Sequence, residues 1–148
     1  MTIPVIIALV VTAIWVIAAI LMQKHLTAKE IYSTVAVISL INLNVDIALG
    51  QSLSLYYFGA SPIVEWYSFI VEGCLGAAIG LIFLNFMPSS KSKFIWYLVL
   101  WSLVSLGFEW FMVSIGYLVY TGWRLTYSIP WYPAIFLFLR WHLSFIRG

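Results

Sequence analysis

The sequence predicts an all-α membrane protein, a bundle of about five transmembrane helices. Hydrophobic residues make up 64% of the chain and charged residues only 8%. A soluble domain carries about 25% charged residues, so this chain has too few of them to cover a surface that faces water. The apolar residues fall into long runs, which is typical of membrane spans. We therefore expect residues 1–148 to form one integral membrane domain.

Five apolar runs are separated by short polar or proline-containing segments. The predicted spans are residues 3–22, 31–57, 63–87, 94–120 and 131–146. A transmembrane helix needs about 20 residues. The first span follows no lysine or arginine and is too long for the core of a signal peptide, so we expect a retained helix. The last span is the shortest, and an interfacial helix is the alternative there.

The basic residues orient these spans. Lys24 and Lys29 precede span 2, Lys91 and Lys93 precede span 4, and Arg147 follows span 5. With five spans all of them fall on one side, whereas the opposite loops contain a single arginine. Because lysine and arginine concentrate in cytoplasmic loops, we expect a cell-membrane protein with its N-terminus outside and its C-terminus in the cytoplasm.

The outer loop before span 5, residues 121–132, is rich in tryptophan and tyrosine. These side chains favour the headgroup level, where an apolar ring keeps a polar edge in contact with water. We interpret them as anchors at the membrane surface rather than as a binding site.

Acidic residues are concentrated inside the spans. Asp46, Glu72 and Glu109 lie within spans 2, 3 and 4, and Glu65 lies near the outer end of span 3. A charged side chain at the bilayer centre costs about 2.5–3.5 kcal/mol, so such groups face the protein interior, pair, or stay protonated. Helical spacing places each acid on a face with other polar or small residues, such as Asn42 in span 2.

A basic partner for these acids is available in span 5. Helical rise places Arg140 at the depth of Glu72, and a guanidinium group suits a buried ion pair. We expect the two to pair; the alternative is that Arg140 extends to the cytoplasmic surface. His142 points to a different face and is expected to be interfacial or hydrogen-bonding rather than a proton relay. The predicted intramembrane polar cluster is Asn42, Asp46, Glu65, Glu72, Glu109, Arg140 and His142.

The sequence contains no signature of a cofactor. Phosphate-binding loops, paired metal-binding histidines and a nucleophile elbow are absent, so we expect neither a cofactor nor a metal. The small net charge of +2 is dispersed and excludes nucleic acid as a partner. The expected partners are the lipid bilayer and a second copy or another membrane protein. Gly76 and Gly80 permit a close helix approach, from within the chain or from another one.

Three features of the second half are distinctive: Glu109 in span 4, the Tyr-x-Gly-Trp turn at residues 120–123, and the Leu-Arg-x-His ending at residues 139–142. In these features the chain resembles a family of uncharacterised small multi-pass membrane proteins of spore-forming Gram-positive bacteria. A weaker likeness surrounds Asp46, and together they cover about two thirds of the chain. Members tend to have His or Asn where this chain has Thr121. The resemblance implies a bacterial membrane protein and implies no activity.

Three functional hypotheses follow from the buried acids. The leading one is a structural or regulatory membrane component with a charge-paired helix core, in which Arg140 neutralises an acid. The alternative is a small proton- or cation-coupled transporter or channel that uses Asp46, Glu72 and Glu109. A second alternative, a membrane-embedded acid–base enzyme acting on a lipid or isoprenoid, requires a lipid-accessible cavity near Glu72 and Glu109. The sequence favours a role without catalysis.

Overall fold

The computed structural model describes residues 1–148 as a mostly helical bundle. The helices are α1 (Ile3–Leu21), α2 (Ala28–Val45), α3 (Trp66–Asn85), α4 (Lys91–Ser114), α5 (Leu125–Ser128) and α6 (Trp131–Arg147). A π-helix, Asp46–Ser52, continues α2 without a break. Two short strands, β1 (Tyr56–Phe58) and β2 (Leu118–Tyr120), complete the fold.

Four helical segments are long and apolar enough to cross a membrane. They are Ile3–Leu21, Ala28–Ser52, Trp66–Asn85 and Lys91–Ser114. Even the first, with 19 residues, is about 28 Å long, close to the roughly 30 Å of a hydrocarbon core. The prediction of a helical chain with membrane-length apolar helices is therefore confirmed. The fifth segment, α6, is helical as expected and has 17 residues.

The predicted spans 2 and 4 extend too far at their outer ends. Residues 56–58 and 118–120 form the antiparallel pair of β1 and β2, with Tyr56 opposite Tyr120. Gly116, at φ +78°, ends α4 just before β2 because glycine adopts this left-handed conformation at low cost. The all-α prediction fits this mostly helical chain, and the two short strands are an addition that the sequence did not predict, since hydropathy does not distinguish an apolar strand from the end of an apolar helix.

The central helix is α3, which packs against α1 on one side and α2 on the other. A Cβ atom on Gly76 would lie 1.9 Å from Nδ2 of Asn42, and one on Gly80 would lie 2.3 Å from Cδ1 of Ile38. The two glycines therefore serve close packing of α2 on α3 within one chain. This contact brings the polar residues of α2 next to Glu72.

Side-chain contacts hold together the end of the bundle that lies away from the two strands. The backbone N–H of His25 donates to Oδ1 of Asn85 at 2.8 Å. Arg147, at the end of α6, donates from Nε to Oε1 of Glu30 at 2.6 Å. The loops that the basic residues assign to the inner side thus meet at one end, which we call the inner end, and the strands close the other, the outer end.

Candidate functional site: an acid-lined cavity

A cavity of about 240 Å³ lies between α2, α3, α4 and α6 and is bordered by both strands. Nineteen of its 27 lining residues are hydrophobic, so the few polar groups stand in an apolar surround. Among these polar groups are the carboxyls of Asp46, Glu72 and Glu109 and the amide of Asn42. The structure therefore brings together the three acids that the sequence placed in separate spans.

Asp46 occupies the junction where the α-helix changes into the π-helix. Hydrogen bonds five residues apart mark this segment, as from the N–H of Leu53 to the carbonyl of Ala48 at 3.1 Å. Such segments are rare and frequently occur at functional sites. The hydroxyl of Tyr56 donates to Oδ1 of Asp46 at 2.8 Å. Gly50 permits this approach, because a Cβ there would lie 3.2 Å from the carbonyl oxygen of Tyr56.

Glu109 is buried near the end of α4 and accepts three hydroxyl groups. Ser128 donates to Oε1 at 2.7 Å, Tyr132 donates to Oε2 at 2.7 Å, and Tyr120 also donates to Oε1. The indole N–H of Trp123 in turn donates to Ser128 at 3.0 Å. Hydrogen bonds to an ionised acceptor are about twice as strong as neutral ones, so this network satisfies the carboxylate without a cation.

Glu72, on α3, has the weakest set of partners among the three acids. The hydroxyl of Tyr117 donates to its Oε1 at 3.4 Å, longer than the usual 2.7–2.8 Å or so between such oxygens. Asn42 donates to the backbone carbonyl of Glu72 at 3.3 Å and makes no hydrogen bond to the carboxyl group of Glu72. The carboxyl of Glu72 therefore retains acceptor capacity toward the cavity.

A second cavity of about 100 Å³ adjoins the first, between the outer halves of α2 and α3. Asp46, Tyr56, Phe58 and Glu72 line both cavities. The two acids and the tyrosine therefore form the partition between the two spaces, and a group bound there has space on either side.

The electrostatics of the site are those of an unbalanced negative cluster. No lysine or arginine lines either cavity. Tyr56, in β1 beyond the long helices, has a pKa raised well above its ordinary value, mainly by burial and further by the charges of Asp46, Glu72 and Glu109. Its hydroxyl therefore stays protonated and acts as a donor, and one side chain experiences the field of all three acids.

Arg140 is not part of this cluster, and its predicted pairing with Glu72 is wrong. Its guanidinium lies 3.9 Å from the ring centroid of Phe94, in the first turn of α4. The salt bridge in the structure joins Arg147 to Glu30 instead. The side chain of Arg140 thus extends toward the inner end, in the direction of the alternative prediction, and stacks on an aromatic face.

Two further members of the predicted cluster lie outside the cavity. Glu65 is an exposed residue at the N-terminal boundary of α3. His142 is buried in α6 and stacks on Phe138, and its Nε2 has no hydrogen-bond partner. The structure therefore places this histidine in the bundle interior and gives its Nε2 no protein hydrogen bond, so the expectation of an interfacial or hydrogen-bonding histidine stays a prediction.

Sequence reasoning missed the hydroxyl groups that hold the acids. Ser128 and Tyr132 belong to the segment interpreted as membrane anchors and Tyr120 ends predicted span 4, yet all three donate to Glu109. Tyr56 was assigned to the end of a helix. The one available signal was the concentration of tyrosines just beyond the acid-bearing helices, and this pattern is also typical of a membrane interface.

The three carboxyls of the cavity are not arranged as a metal site. No group of three or more His, Cys, Asp or Glu side chains is arranged to hold a metal, so the acids surround a space rather than a point.

Comparison of the chain with protein-family models, curated proteins and solved structures finds no match. The resemblance to small membrane proteins of spore-forming Gram-positive bacteria stays a prediction.

Proposed function

We propose that this protein is a small membrane transporter or channel that binds a proton or a small cation at Asp46 and Glu72, in a cavity whose wall Glu109 helps to form. One observation carries the proposal: three carboxyls line one cavity that contains no lysine or arginine. A carboxylate in a mainly apolar cavity without a counter-charge is costly unless it takes up a proton or pairs with a cation. A bound proton or cation would supply the positive charge that the chain itself does not place there.

The second cavity favours passage through the bundle rather than a closed binding site. Asp46 and Glu72 have space on both sides, so a species that leaves the acids can depart in a direction other than the one from which it came. Conduction needs a site that binds but also releases. The weakly partnered carboxyl of Glu72 suits such an exchange.

The proposal includes five membrane crossings, with the N-terminus outside and the C-terminus in the cytoplasm of a bacterial cell. Its fifth crossing is α6, whose 17 residues extend about 25 Å. Tyr132 near its start binds Glu109, which also binds Tyr120 of β2, whereas Arg147 at its end binds Glu30 at the inner end. Because α6 contacts both ends of the bundle, a membrane crossing is favoured for this helix rather than an interfacial position.

The structural or regulatory hypothesis loses its main support. It depends on a charge-paired core, but Arg140 stacks on Phe94 and the salt bridge lies at the inner end. What would still favour it is a stable partner in pull-downs from mild detergent, together with glutamine variants that alter stability alone.

The transport proposal is tested with purified protein in liposomes that contain a pH-sensitive dye. We expect a pH- or cation-dependent flux that Asp46→Asn abolishes, because the amide cannot bind a proton or pair with a cation. Glu65→Gln is the matched control: it also removes one acidic charge, but from an exposed residue outside both cavities, and should keep the flux. Absence of flux for every cation tested would contradict the proposal.

An acid–base enzyme acting on a lipid or isoprenoid is the second candidate. The apolar walls around Glu72 and Glu109 favour it, since an aliphatic chain could occupy this space. Mass spectrometry of the purified protein would then identify one stoichiometric lipid, and Glu72→Gln would stop its conversion. A lipid profile identical to that of the surrounding membrane counts against this candidate.

A further inference from the structure

Two buried polar atoms have no hydrogen-bond partner: Oγ1 of Thr34 and Nε2 of His142. Their residues are 0% and 8% exposed, respectively. Buried polar atoms in native proteins are nearly always bonded, either to other protein groups or to ordered water. Neither residue lines the acidic cavity, so the proposed transport site does not account for them.

Two contacts fix how α2 and α6 lie against each other. At the inner end, Glu30 of α2 meets Arg147 of α6. Further along, Ile38 of α2 and Leu139 of α6 both reach Gly80, where a Cβ would lie 2.3 Å from one and 3.2 Å from the other. The helices therefore run antiparallel, with the ion pair and this apolar contact at successive levels.

Thr34 and His142 lie between these two levels. Thr34 is four residues from both Glu30 and Ile38 and so shares their helix face. His142 follows Leu139 by three residues on α6, which places both on one face of that helix. The two partnerless atoms therefore belong to the same level of the region where α2 meets α6.

This level lies between the acidic cavity and the inner end of the bundle. Ile38 and Leu139 line the acidic cavity, whereas Thr34 and His142, about one helical turn nearer the inner end, do not. Beyond these lies the Glu30–Arg147 pair, whose arginine side chain is 54% exposed. Thr34 and His142 therefore lie between the level of the cavity and that of the ion pair, within a buried apolar cluster that includes Leu143.

We infer that Thr34 and His142 form a water-binding site on the path between the acidic cavity and the inner end of the bundle. Water can donate to or accept from both side chains, and it is the partner that buried polar groups without a protein partner commonly bind. Its role as a proton exit rests on the proposed function. The site itself does not, because the two side chains need partners whether or not the protein transports anything.

Nuclear magnetic resonance of the protein in nanodiscs tests the site directly. His25 is the only other histidine, so His25→Gln with labelled histidine leaves His142 as the sole imidazole signal. We expect magnetisation transfer from water to its ring protons, reduced several-fold by Thr34→Val and retained in Thr34→Ser. Thr12→Val is the matched control, because Thr12 is equally buried but already donates to the carbonyl of Ala8 at 2.8 Å.

Transfer that is absent, or that Thr34→Val leaves unchanged, overturns the inference. The flux assay separates this result from a failure of the proposed function. Water contact at His142 in a protein without flux supports the site and overturns transport. Flux without water contact at His142 supports transport and overturns the water-binding site. Where both are present, Thr34→Val should lower the flux several-fold while cation binding in the cavity stays unchanged.

Discussion

The three acids that line the cavity differ in how completely the chain satisfies them. Glu109 accepts three hydroxyl groups, Asp46 accepts one at 2.8 Å, and Glu72 accepts one at 3.4 Å. A carboxylate with several donors is held in place, whereas one with few donors can exchange its partner. Glu109 therefore stabilises the cavity wall, and Asp46 and Glu72 are the groups available to a proton or cation.

Glu109→Gln should accordingly cost more stability than Glu72→Gln. The new amide turns a donor toward the hydroxyl groups and removes at least one charge-assisted hydrogen bond, which is about 2 kcal/mol of unfolding free energy. Unfolding in a denaturing detergent, followed by tryptophan fluorescence, measures the difference. Equal losses in the two variants would show that the hydroxyl network around Glu109 does not hold it.

Arg140→Gln should change stability little. A cation over a phenylalanine ring contributes about 0.5–1 kcal/mol at a partly exposed site, far less than a broken buried ion pair, which costs about 3–5 kcal/mol. The yield of folded protein in detergent is the readout. A collapse in yield would restore the pairing of Arg140 with a buried acid.

These residues also show where sequence reasoning reaches its limit. Helical spacing predicted that Asp46, Glu72 and Glu109 face the interior, because the backbone fixes the direction of a side chain on a helix. It failed for Arg140, because helical rise locates the Cα atom and not the tip of a long, flexible side chain. It also failed for Tyr132, since a tyrosine near a membrane surface fits both an anchor and a hydrogen-bond donor.

Among the elements, α3 sets the geometry of the bundle because its glycines admit a neighbour. Gly76 lies against Asn42 of α2, and no atom of another element lies within 4 Å of the Cβ position of Gly73. One helix thus offers two glycines of equal intrinsic flexibility in opposite surroundings. Their substitution separates packing from helix propensity.

Gly76→Ala should lower the unfolding free energy by about 1–3 kcal/mol, since the new methyl group displaces the Asn42 amide. Gly73→Ala should raise it by about 0.5–1 kcal/mol, because alanine is the better helix former and meets no obstacle. Detergent unfolding curves of the two variants provide the comparison. Destabilisation by both substitutions to the same degree would mean that α2 does not pack at Gly76.

The sequence predicted the existence of all long helices but not how two of them end. The apolar runs at residues 31–57 and 94–120 continue through the π-helix and into the strands without a change in hydropathy. What ends α4 is the backbone of Gly116, and what defines β1 is its pairing partner about 60 residues away. Contacts of this range leave no periodic signal in a single sequence.

At the scale of the whole molecule, the two ends of the bundle are closed by different means. Backbone hydrogen bonds between β1 and β2 close the outer end, whereas the Asn85 contacts and the Glu30–Arg147 pair close the inner one. The pair joins a half-exposed arginine to a buried glutamate. The inner end therefore depends on a few side-chain contacts, whereas the outer end depends on backbone groups.

The proposed orientation predicts which loops face outward. In a Cys74→Ser background, which removes the single exposed cysteine, Arg124→Cys should react in intact cells with a membrane-impermeant maleimide. Lys91→Cys should react only after the membrane is permeabilised. The reverse pattern would invert the orientation, and labelling of both in intact cells would contradict the membrane arrangement.

The pairing of β1 with β2 also bears on how this protein tolerates sequence change. The ladder joins backbone groups, and a backbone hydrogen bond is the same for nearly every residue type. Side chains such as Tyr57 and Val119 can therefore be exchanged for other strand-forming residues while Tyr56 still faces Asp46. The strands at the outer end can therefore vary in sequence. Such variation would change the outer surface of the protein without moving the acids below it.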